Sequence, residues 1–152
     1  MIKILFVCHG NICRSPMAEM IFKDMAEKAG VEDRFEIASA ATSTEELGNP
    51  VYPPARAELA RHGIKCEKRC ARQIVKRDYT HYDLLIGMDG ANIRNMTRML
   101  GGDPDGKIHR LLEYAGRTGD VADPWYSDRF DVAYEDIRAG CEGLLKRLMK
   151  KI

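Results

Sequence analysis

The sequence has neither a long apolar run nor a marked net charge. Its first apolar stretch, MIKILFV, is too short and wrongly flanked for a signal peptide, and no other segment approaches the length of a membrane span. The formal net charge of +1 gives no reason to expect a nucleic acid or an anionic membrane as partner. We therefore expect a cytoplasmic protein without a nucleic-acid or membrane partner, in which any anion-binding site is local.

Markers of several other protein classes are also missing. The five cysteines lack the pattern of a small secreted disulfide scaffold, so we expect free thiols in a reducing compartment. No G-x-G-x-x-G motif follows the first apolar segment, so a dinucleotide site is not predicted. A zinc site at Cys66 and Cys70 would need two more ligands, and none lies at suitable spacing. We expect neither a metal nor a cofactor.

Segments with the apolar pattern of strands alternate along the chain with segments that have the apolar pattern of helices. The 152 residues are enough for one compact domain, residues 1–152. The pattern predicts strands at Ile2–Val7, Phe35–Ala38, Tyr82–Met88 and Lys107–Leu112, and helices at Pro16–Gly30 with Ser15 as N-cap, Pro53–His62, Ala91–Leu100 and Asp131–Lys150. This alternation predicts an α/β fold with an open four-stranded parallel sheet and helices on both faces. Sites of such sheets lie beyond the carboxyl ends of the strands.

Residues 8–15, CHGNICRS, occupy that position and have the composition of a phosphate-binding loop. A loop between a strand and a helix can turn its amide N–H groups toward one point, where the helix adds the positive end of its dipole. Gly10 permits positive φ, and Asn11 tolerates it while its side chain pins the loop. Arg14 can hold two oxygens of a phosphoryl group with its planar fork.

Cys8 would be the nucleophile at the centre of this loop. Amide dipoles and a guanidinium lower the pKa of a thiol from about 8.5 into the range of about 3.5–7.5, which yields a thiolate at neutral pH. Ser15 can donate a hydrogen bond to that sulfur or to the departing thiolate. The alternative is that Cys8 is a small buried hydrophobe at a strand end. We favour the nucleophile because the other loop residues follow it in register.

The stretch C-H-G-N-I-C-R-S matches the C-x-G-N-x-C-R-S signature of the low-molecular-weight protein tyrosine phosphatases. Further segments resemble the family in the same order, so that the resemblance covers nearly the whole chain: Ser39–Ser43, Gly48–Pro50, Arg61–Ile64, Ala71–Gln73, Met88–Asp89 with Asn92, and Asp123–Tyr126. The resemblance implies a metal-independent phosphatase that forms a phosphocysteine. Its substrate would be a phosphotyrosine-containing protein or a small aryl phosphate, and phosphate-like oxyanions would inhibit it.

The resemblance also assigns roles to individual residues. Asp123 would be the general acid, although Asp123-Pro124 on its own reads as a turn. Trp125 and Tyr126 would form one aromatic wall of the cleft; the alternative for Trp125 is an anchor in the core or a loop. Cys13 would form a reversible disulfide with Cys8, or else it packs beneath the loop. The remaining assignments are His9, Gly10, Asn11, Ile12 and Cys13 in substrate binding, Arg14 in catalysis, and Asn11, Ser15 and Ser39 in support of the loop.

The sequence departs from the family pattern at two places. Glu45, Glu46 and Leu47 stand where animal members often carry a bulky residue, and Lys68, Arg69 and Cys70 stand near the family's histidine. We expect these segments to affect substrate preference and loop anchoring.

Ile12 favours an aryl phosphate, because the arginine-phosphate phosphatases of the family tend to have threonine there. His9 either tunes the nucleophile or points to solvent. Two alternatives with the same fold stay open: a thiol-coupled arsenate reductase that would use Cys66 and Cys70, and a phosphocysteine carrier.

Overall fold

The computed structural model describes all 152 residues and contains one open sheet of four parallel strands. The strands are β1 Ile2–Cys8, β2 Phe35–Ala41, β3 Leu84–Gly87 and β4 Ile108–Arg110, in the order β2-β1-β3-β4. The helices are α1 Arg14–Lys28, α2 Pro53–Arg61, α3 Lys76–His81, α4 Gly90–Leu100, α5 Pro124–Ser127 and α6 Phe130–Met149, with 3₁₀ turns at Glu32–Arg34 and Leu111–Ala115. The predicted single-domain α/β fold is confirmed.

The central strand β1 contributes side chains to both layers of the core. Ile4 and Phe6 are fully buried in the larger cluster, which is completed by α1, α2 and α6. Leu5 and Val7 point the other way into a smaller cluster with Tyr82 and residues of α4. A strand buried on both faces reads as a continuous apolar run, which is why β1 could be recognised. Helices therefore cover both faces of the sheet, as predicted.

Several predicted boundaries were wrong. The first helix begins at Arg14 rather than at Pro16, so Ser15 is not its N-cap; the cap position is Cys13, without a side-chain cap. β2 continues to Ala41 because it pairs with β1 as far as Cys8. The predicted strand Lys107–Leu112 is β4 only over Ile108–Arg110, since a 3₁₀ turn starts at Leu111.

Two short helices were not predicted at all. α3 has six mostly polar residues, KRDYTH, and α5 has only four, so neither shows an apolar period. Asp78 stabilises the start of α3 by accepting a hydrogen bond from the backbone N–H of Val75 at 2.8 Å. Every helix is too short or too polar to cross a membrane. The carboxyl ends of the parallel strands β1 and β3 lie side by side, and α1 begins at the same edge of the sheet, after β1.

Candidate active site

Cys8 is the last residue of β1, and the loop of residues 9–13 curls around its sulfur. The backbone N–H groups of Asn11 and Ser15 donate to Cys8 Sγ at 3.3 and 3.4 Å. The hydroxyl oxygen of Ser15 lies 3.0 Å from the same sulfur. Cys8 therefore sits at the N-terminal end of the 15-residue helix α1, where N–H groups and the helix dipole favour negative charge.

Arg14 is buried beside the loop and joins three parts of the chain. Its Nη1 donates to Asp89 Oδ2 at 2.7 Å and to the backbone carbonyl of Val121 at 2.9 Å. Its Nη2 lies 3.5 Å from Asp123 Oδ2. Burial alone would lower the pKa of Arg14, but the charge on Cys8 and the hydrogen bond to Asp89 raise it above its ordinary value. The guanidinium is thus a fixed cation.

Asp89, which holds Arg14, is itself held by the start of α4. Its Oδ1 accepts from the backbone N–H of Asn92 at 2.7 Å. In return, Asn92 Oδ1 accepts from the backbone N–H groups of Met88 and Asp89 at 3.0 and 3.2 Å. This reciprocal cap fixes the carboxylate that orients the guanidinium. The sequence showed Met88-Asp89 with Asn92 as a family segment but assigned no role to Asp89.

Asp123 caps the one-turn helix α5 and lines the cleft that contains Cys8. Its Oδ1 accepts from the backbone N–H of Trp125 at 3.1 Å, and its other oxygen faces Arg14. The Asp123 side chain keeps 27% of its surface exposed. It can therefore meet a molecule bound in the cleft.

One cleft contains most of the predicted site residues. It is lined by Cys8, His9, Gly10, Ile12, Cys13, Arg14, Glu45, Glu46, Asp123, Trp125 and Tyr126. Trp125 is 51% exposed and Tyr126 is 85% exposed, which argues against a core role for the tryptophan. The Trp125 ring nevertheless has support, because the ring of Tyr52 lies 4.9 Å away between centroids. The result is an aromatic wall beside the loop.

Two acidic residues, Glu45 and Glu46, also line the cleft. Glu45 Oε2 lies 3.0 Å from His9 Nε2, so His9 turns toward the rim of the cleft and not toward Cys8. Glu46 accepts from the Asn49 side chain at 2.6 Å, which holds it over Gly10.

Cys13 lies inside the same cleft and is not linked to Cys8. Burial, followed by the negative charges of Cys8 and Asp123, raises the pKa of Cys13 to about 12. At neutral pH its thiol is therefore protonated. Its redox role stays a prediction.

Asn11, Ser15 and Ser39 lie behind the cleft. Asn11 is fully buried with φ 59°, and its Nδ2 donates to Ser15 Oγ at 2.8 Å. Asn11 Oδ1 accepts from the backbone N–H of Arg72 at 3.2 Å and from the guanidinium of Arg69. Ser39 is further away on β2, where its hydroxyl donates to Glu19 of α1. Arg69 belongs to the segment that departs from the family pattern near the family's histidine; its contact with Asn11 was not predicted.

The chain also matches known proteins in sequence. The sequence profile of the low molecular weight phosphotyrosine protein phosphatase family matches residues 3–152. The chain belongs to this family. The resemblance predicted from the loop and the later segments is confirmed, and with it the assignment to a family of phosphatases.

Members of the low molecular weight phosphotyrosine protein phosphatase family resemble the chain over its whole length. The low molecular weight protein-tyrosine-phosphatase YfkJ of Bacillus subtilis is 40% identical over 153 residues, 99% of this chain and 98% of YfkJ. The crystal structure of YfkJ superposes with a TM-score of 0.95 and covers 99% of this chain and 96% of that one.

Two further solved structures are similar. One is SP-PTP, the low molecular weight protein tyrosine phosphatase from Streptococcus pyogenes, with a TM-score of 0.89, 39% identity and coverage of 98% and 94%. The other is DARP, a Drosophila arginine phosphatase, with a TM-score of 0.86, 32% identity and coverage of 96% and 97%. The fold thus accommodates proteins named for different phosphorylated residues.

The pair Cys66 and Cys70 lies outside this site, between α2 and α3. The segment from Lys65 to Cys70 is not helical. Cys66 is half-buried and Cys70 is exposed. Neither lines the cleft that contains Cys8.

Proposed function

We propose that this protein is a cysteine-dependent protein tyrosine phosphatase that hydrolyses aryl phosphate monoesters through a phosphocysteine, without a metal. The observation that carries the proposal is the set of hydrogen-bond donors around Cys8 Sγ. Two backbone N–H groups and the Ser15 hydroxyl lie within 3.0–3.4 Å of the sulfur, beside the buried Arg14. Such donors stabilise a thiolate and, next to it, the oxygens of a phosphoryl group.

In the first step, the Cys8 thiolate attacks phosphorus and the bond to the phenolic oxygen breaks. The loop N–H groups and the guanidinium of Arg14 bind the phosphoryl oxygens as charge redistributes. Asp123 gives its proton to the leaving oxygen, so a neutral phenol departs. Two observations support this role: the Asp123 carboxylate lies 3.5 Å from Arg14 Nη2, and Asp123 lines the cleft that contains Cys8.

In the second step, water attacks the phosphorus of the phosphocysteine. Asp123, now a carboxylate, takes a proton from this water, and the sulfur–phosphorus bond breaks. Cys8 leaves as a thiolate, which the Ser15 hydroxyl and the N–H groups of Asn11 and Ser15 stabilise. Phosphate is released and the enzyme returns to its starting state.

The walls of the cleft favour an aryl phosphate, either phosphotyrosine in a protein or a small aryl phosphate. Trp125 and Tyr126 offer aromatic faces against which a phenyl ring can pack. Ile12 presents an apolar side chain to the same cleft, and it has no acceptor for the N–H groups of a phosphoarginine. Free phosphate and similar oxyanions would occupy the loop and inhibit competitively.

The two alternatives have less support. An arsenate reductase would need a mobile segment to deliver further cysteines to Cys8, but Cys66 and Cys70, which would have that role, lie outside the cleft. A phosphocysteine carrier would have no use for an acid such as Asp123 beside an aromatic wall. Repeated turnover of para-nitrophenyl phosphate would exclude the carrier, and arsenate reduction with a dithiol would favour the reductase.

The decisive experiment measures steady-state hydrolysis of para-nitrophenyl phosphate in the presence of a chelator. Wild type should turn over, Cys8→Ser should be inactive, and Cys70→Ser, which removes an exposed cysteine, should match wild type. If freshly reduced wild type shows no turnover, or if Cys8→Ser retains it, the proposal is wrong.

A further inference from the structure

The guanidinium of Arg69 reaches the phosphate-binding loop from behind the cleft. Arg69 lies in the irregular segment between α2 and α3 and does not line the cleft. Its Nη1 donates to the backbone carbonyl of Asn11 at 2.8 Å, and its Nη2 donates to Asn11 Oδ1. Although burial lowers the pKa of Arg69, an arginine stays protonated in proteins. The Arg69 guanidinium thus binds Asn11 through two acceptors, its backbone carbonyl and its side-chain oxygen.

Asn11 is a residue whose conformation needs such support. Its φ of 59° lies in the left-handed region, which residues other than glycine adopt only at a cost in conformational energy. The same residue places its backbone N–H 3.3 Å from Cys8 Sγ. If Asn11 relaxed toward an ordinary φ, this N–H would turn away from the sulfur.

Together with the backbone N–H of Arg72, Arg69 determines the direction of the hydrogen bonds that follow. Arg69 and the backbone N–H of Arg72 are both donors, so the atom of Asn11 that faces them must be the oxygen. The Asn11 NH₂ group is therefore directed at Ser15 Oγ, 2.8 Å away, and donates to it. Because Ser15 Oγ accepts there, its single hydrogen is free to point at Cys8 Sγ, 3.0 Å away.

We propose that Arg69 is a positioning residue, which acts through Asn11 to make Ser15 a hydrogen-bond donor to the nucleophilic sulfur. The inference rests on the proposed function in so far as Cys8 is the nucleophile. Arg69 never touches the substrate. Its effect is to hold two of the donors on the thiolate, the Asn11 N–H and the Ser15 hydroxyl, in the orientation that both chemical steps require.

The test compares Arg69→Met, Arg69→Lys and the control Lys68→Gln, which removes one exposed positive charge from the same segment. The first readout is the rate of Cys8 alkylation by iodoacetamide as a function of pH, followed by peptide mass spectrometry. In Arg69→Met we expect the midpoint of this profile to rise by about one pH unit, the equivalent of a tenfold change in equilibrium. Lys68→Gln should follow wild type.

The second readout is hydrolysis of para-nitrophenyl phosphate. In Arg69→Met we expect kcat to fall about tenfold or more, as for the loss of hydrogen bonds from a charged group, with a smaller change in KM. Arg69→Lys keeps the charge but lacks the planar fork, so it should stay well below wild type. If Arg69→Met does not fold, Arg69→Lys carries the test.

A double variant checks the route through Ser15. In a Ser15→Ala background the sulfur has already lost the hydroxyl donor, so Arg69→Met should shift the alkylation profile much less than it does in wild type. The proposal is overturned if Arg69→Met or Arg69→Lys equals wild type in alkylation and kcat, or if the shift is undiminished in Ser15→Ala. Alkylation needs no turnover, so an inactive wild type would refute the proposed function and leave this test intact.

Discussion

The pairing of Arg14 with Asp89 can be tested by Asp89→Asn, because both oxygens of this carboxylate are in use. Oδ2 accepts from Arg14 Nη1 at 2.7 Å, and Oδ1 accepts from the backbone N–H of Asn92 at 2.7 Å. An asparagine offers one oxygen and one NH₂ group, so it satisfies one of these donors and opposes the other. One contact must be lost, and the negative charge beside Arg14 is lost in either case.

The size of the effect follows from the two contacts. Loss of the cap costs about 0.5–2 kcal/mol, and loss of a hydrogen bond to a charged group costs about 1.5–3 kcal/mol. Because one of the two contacts is lost, we expect Asp89→Asn to lower the free energy of unfolding by about 0.5–3 kcal/mol. We also expect kcat to fall about tenfold, or about 1.4 kcal/mol in activation free energy, because the guanidinium loses its closest carboxylate.

Urea unfolding and steady-state hydrolysis of para-nitrophenyl phosphate measure the two effects separately. Asp131→Asn is the matched control, because Asp131 pairs with Arg129 at 3.0 Å on the surface, with both side chains largely exposed, and such an ion pair contributes little. The control should resemble wild type in both assays. An Asp89→Asn variant with wild-type stability and wild-type kcat would refute the reasoning.

Three further predictions concern protonation. Asp123→Asn should slow hydrolysis of phenyl phosphate by about 10²–10⁴-fold and that of para-nitrophenyl phosphate less, since nitrophenolate leaves more easily without a proton; equal losses would contradict a general acid. Burial and the charge of Cys8 raise the pKa of Cys13 to about 12, so iodoacetamide at neutral pH should modify Cys8 and spare Cys13 in peptide mass spectra. Comparable modification of both would refute this. The pKa of Asp103 is lowered: burial would raise it, but hydrogen bonds from Tyr79 and from the backbone outweigh burial. A carboxyl with a lowered pKa stabilises the folded protein at pH values above its unfolded pKa of about 4, and this stability is lost as the pH falls. Asp103→Asn should therefore flatten the fall in unfolding free energy between about pH 4 and pH 2; an unchanged slope in urea titrations would count against it.

The parts of the site that could be predicted are those whose residues are neighbours in the chain. Cys8 to Ser15 form a continuous loop between a strand and a helix, so the order of residues alone brings the thiol and the amide groups together. The buried strand β1 was recognisable because both of its faces are apolar. Local pattern and local structure agree there.

The contacts that orient the loop could not be predicted, because they join distant residues. Asp89 lies 75 positions from Arg14, and Arg69 lies 58 positions from Asn11. Asp89 begins a helix and Arg69 lies in an irregular segment, so charge and periodicity give no sign of their partners. The mistaken N-cap at Ser15 has a different, local origin: Ser-Pro is a good helix start, but the Ser15 hydroxyl contacts the sulfur of Cys8 and accepts from the side-chain amide of Asn11.

In the proposed mechanism, the charges around Arg14 connect the role of Asp123 with the binding of phosphate. A Cys8 thiolate, Asp89 and Asp123 would all place negative charge near one guanidinium, at separations of 2.7 Å for Asp89 and 3.5 Å for Asp123. A phosphate monoester adds further negative charge, so an ionised Asp123 would oppose its binding. A protonated Asp123 removes that repulsion and at the same time carries the proton that the leaving oxygen needs. In the mechanism proposed above, substrate binding and the first step would therefore require the same form of Asp123.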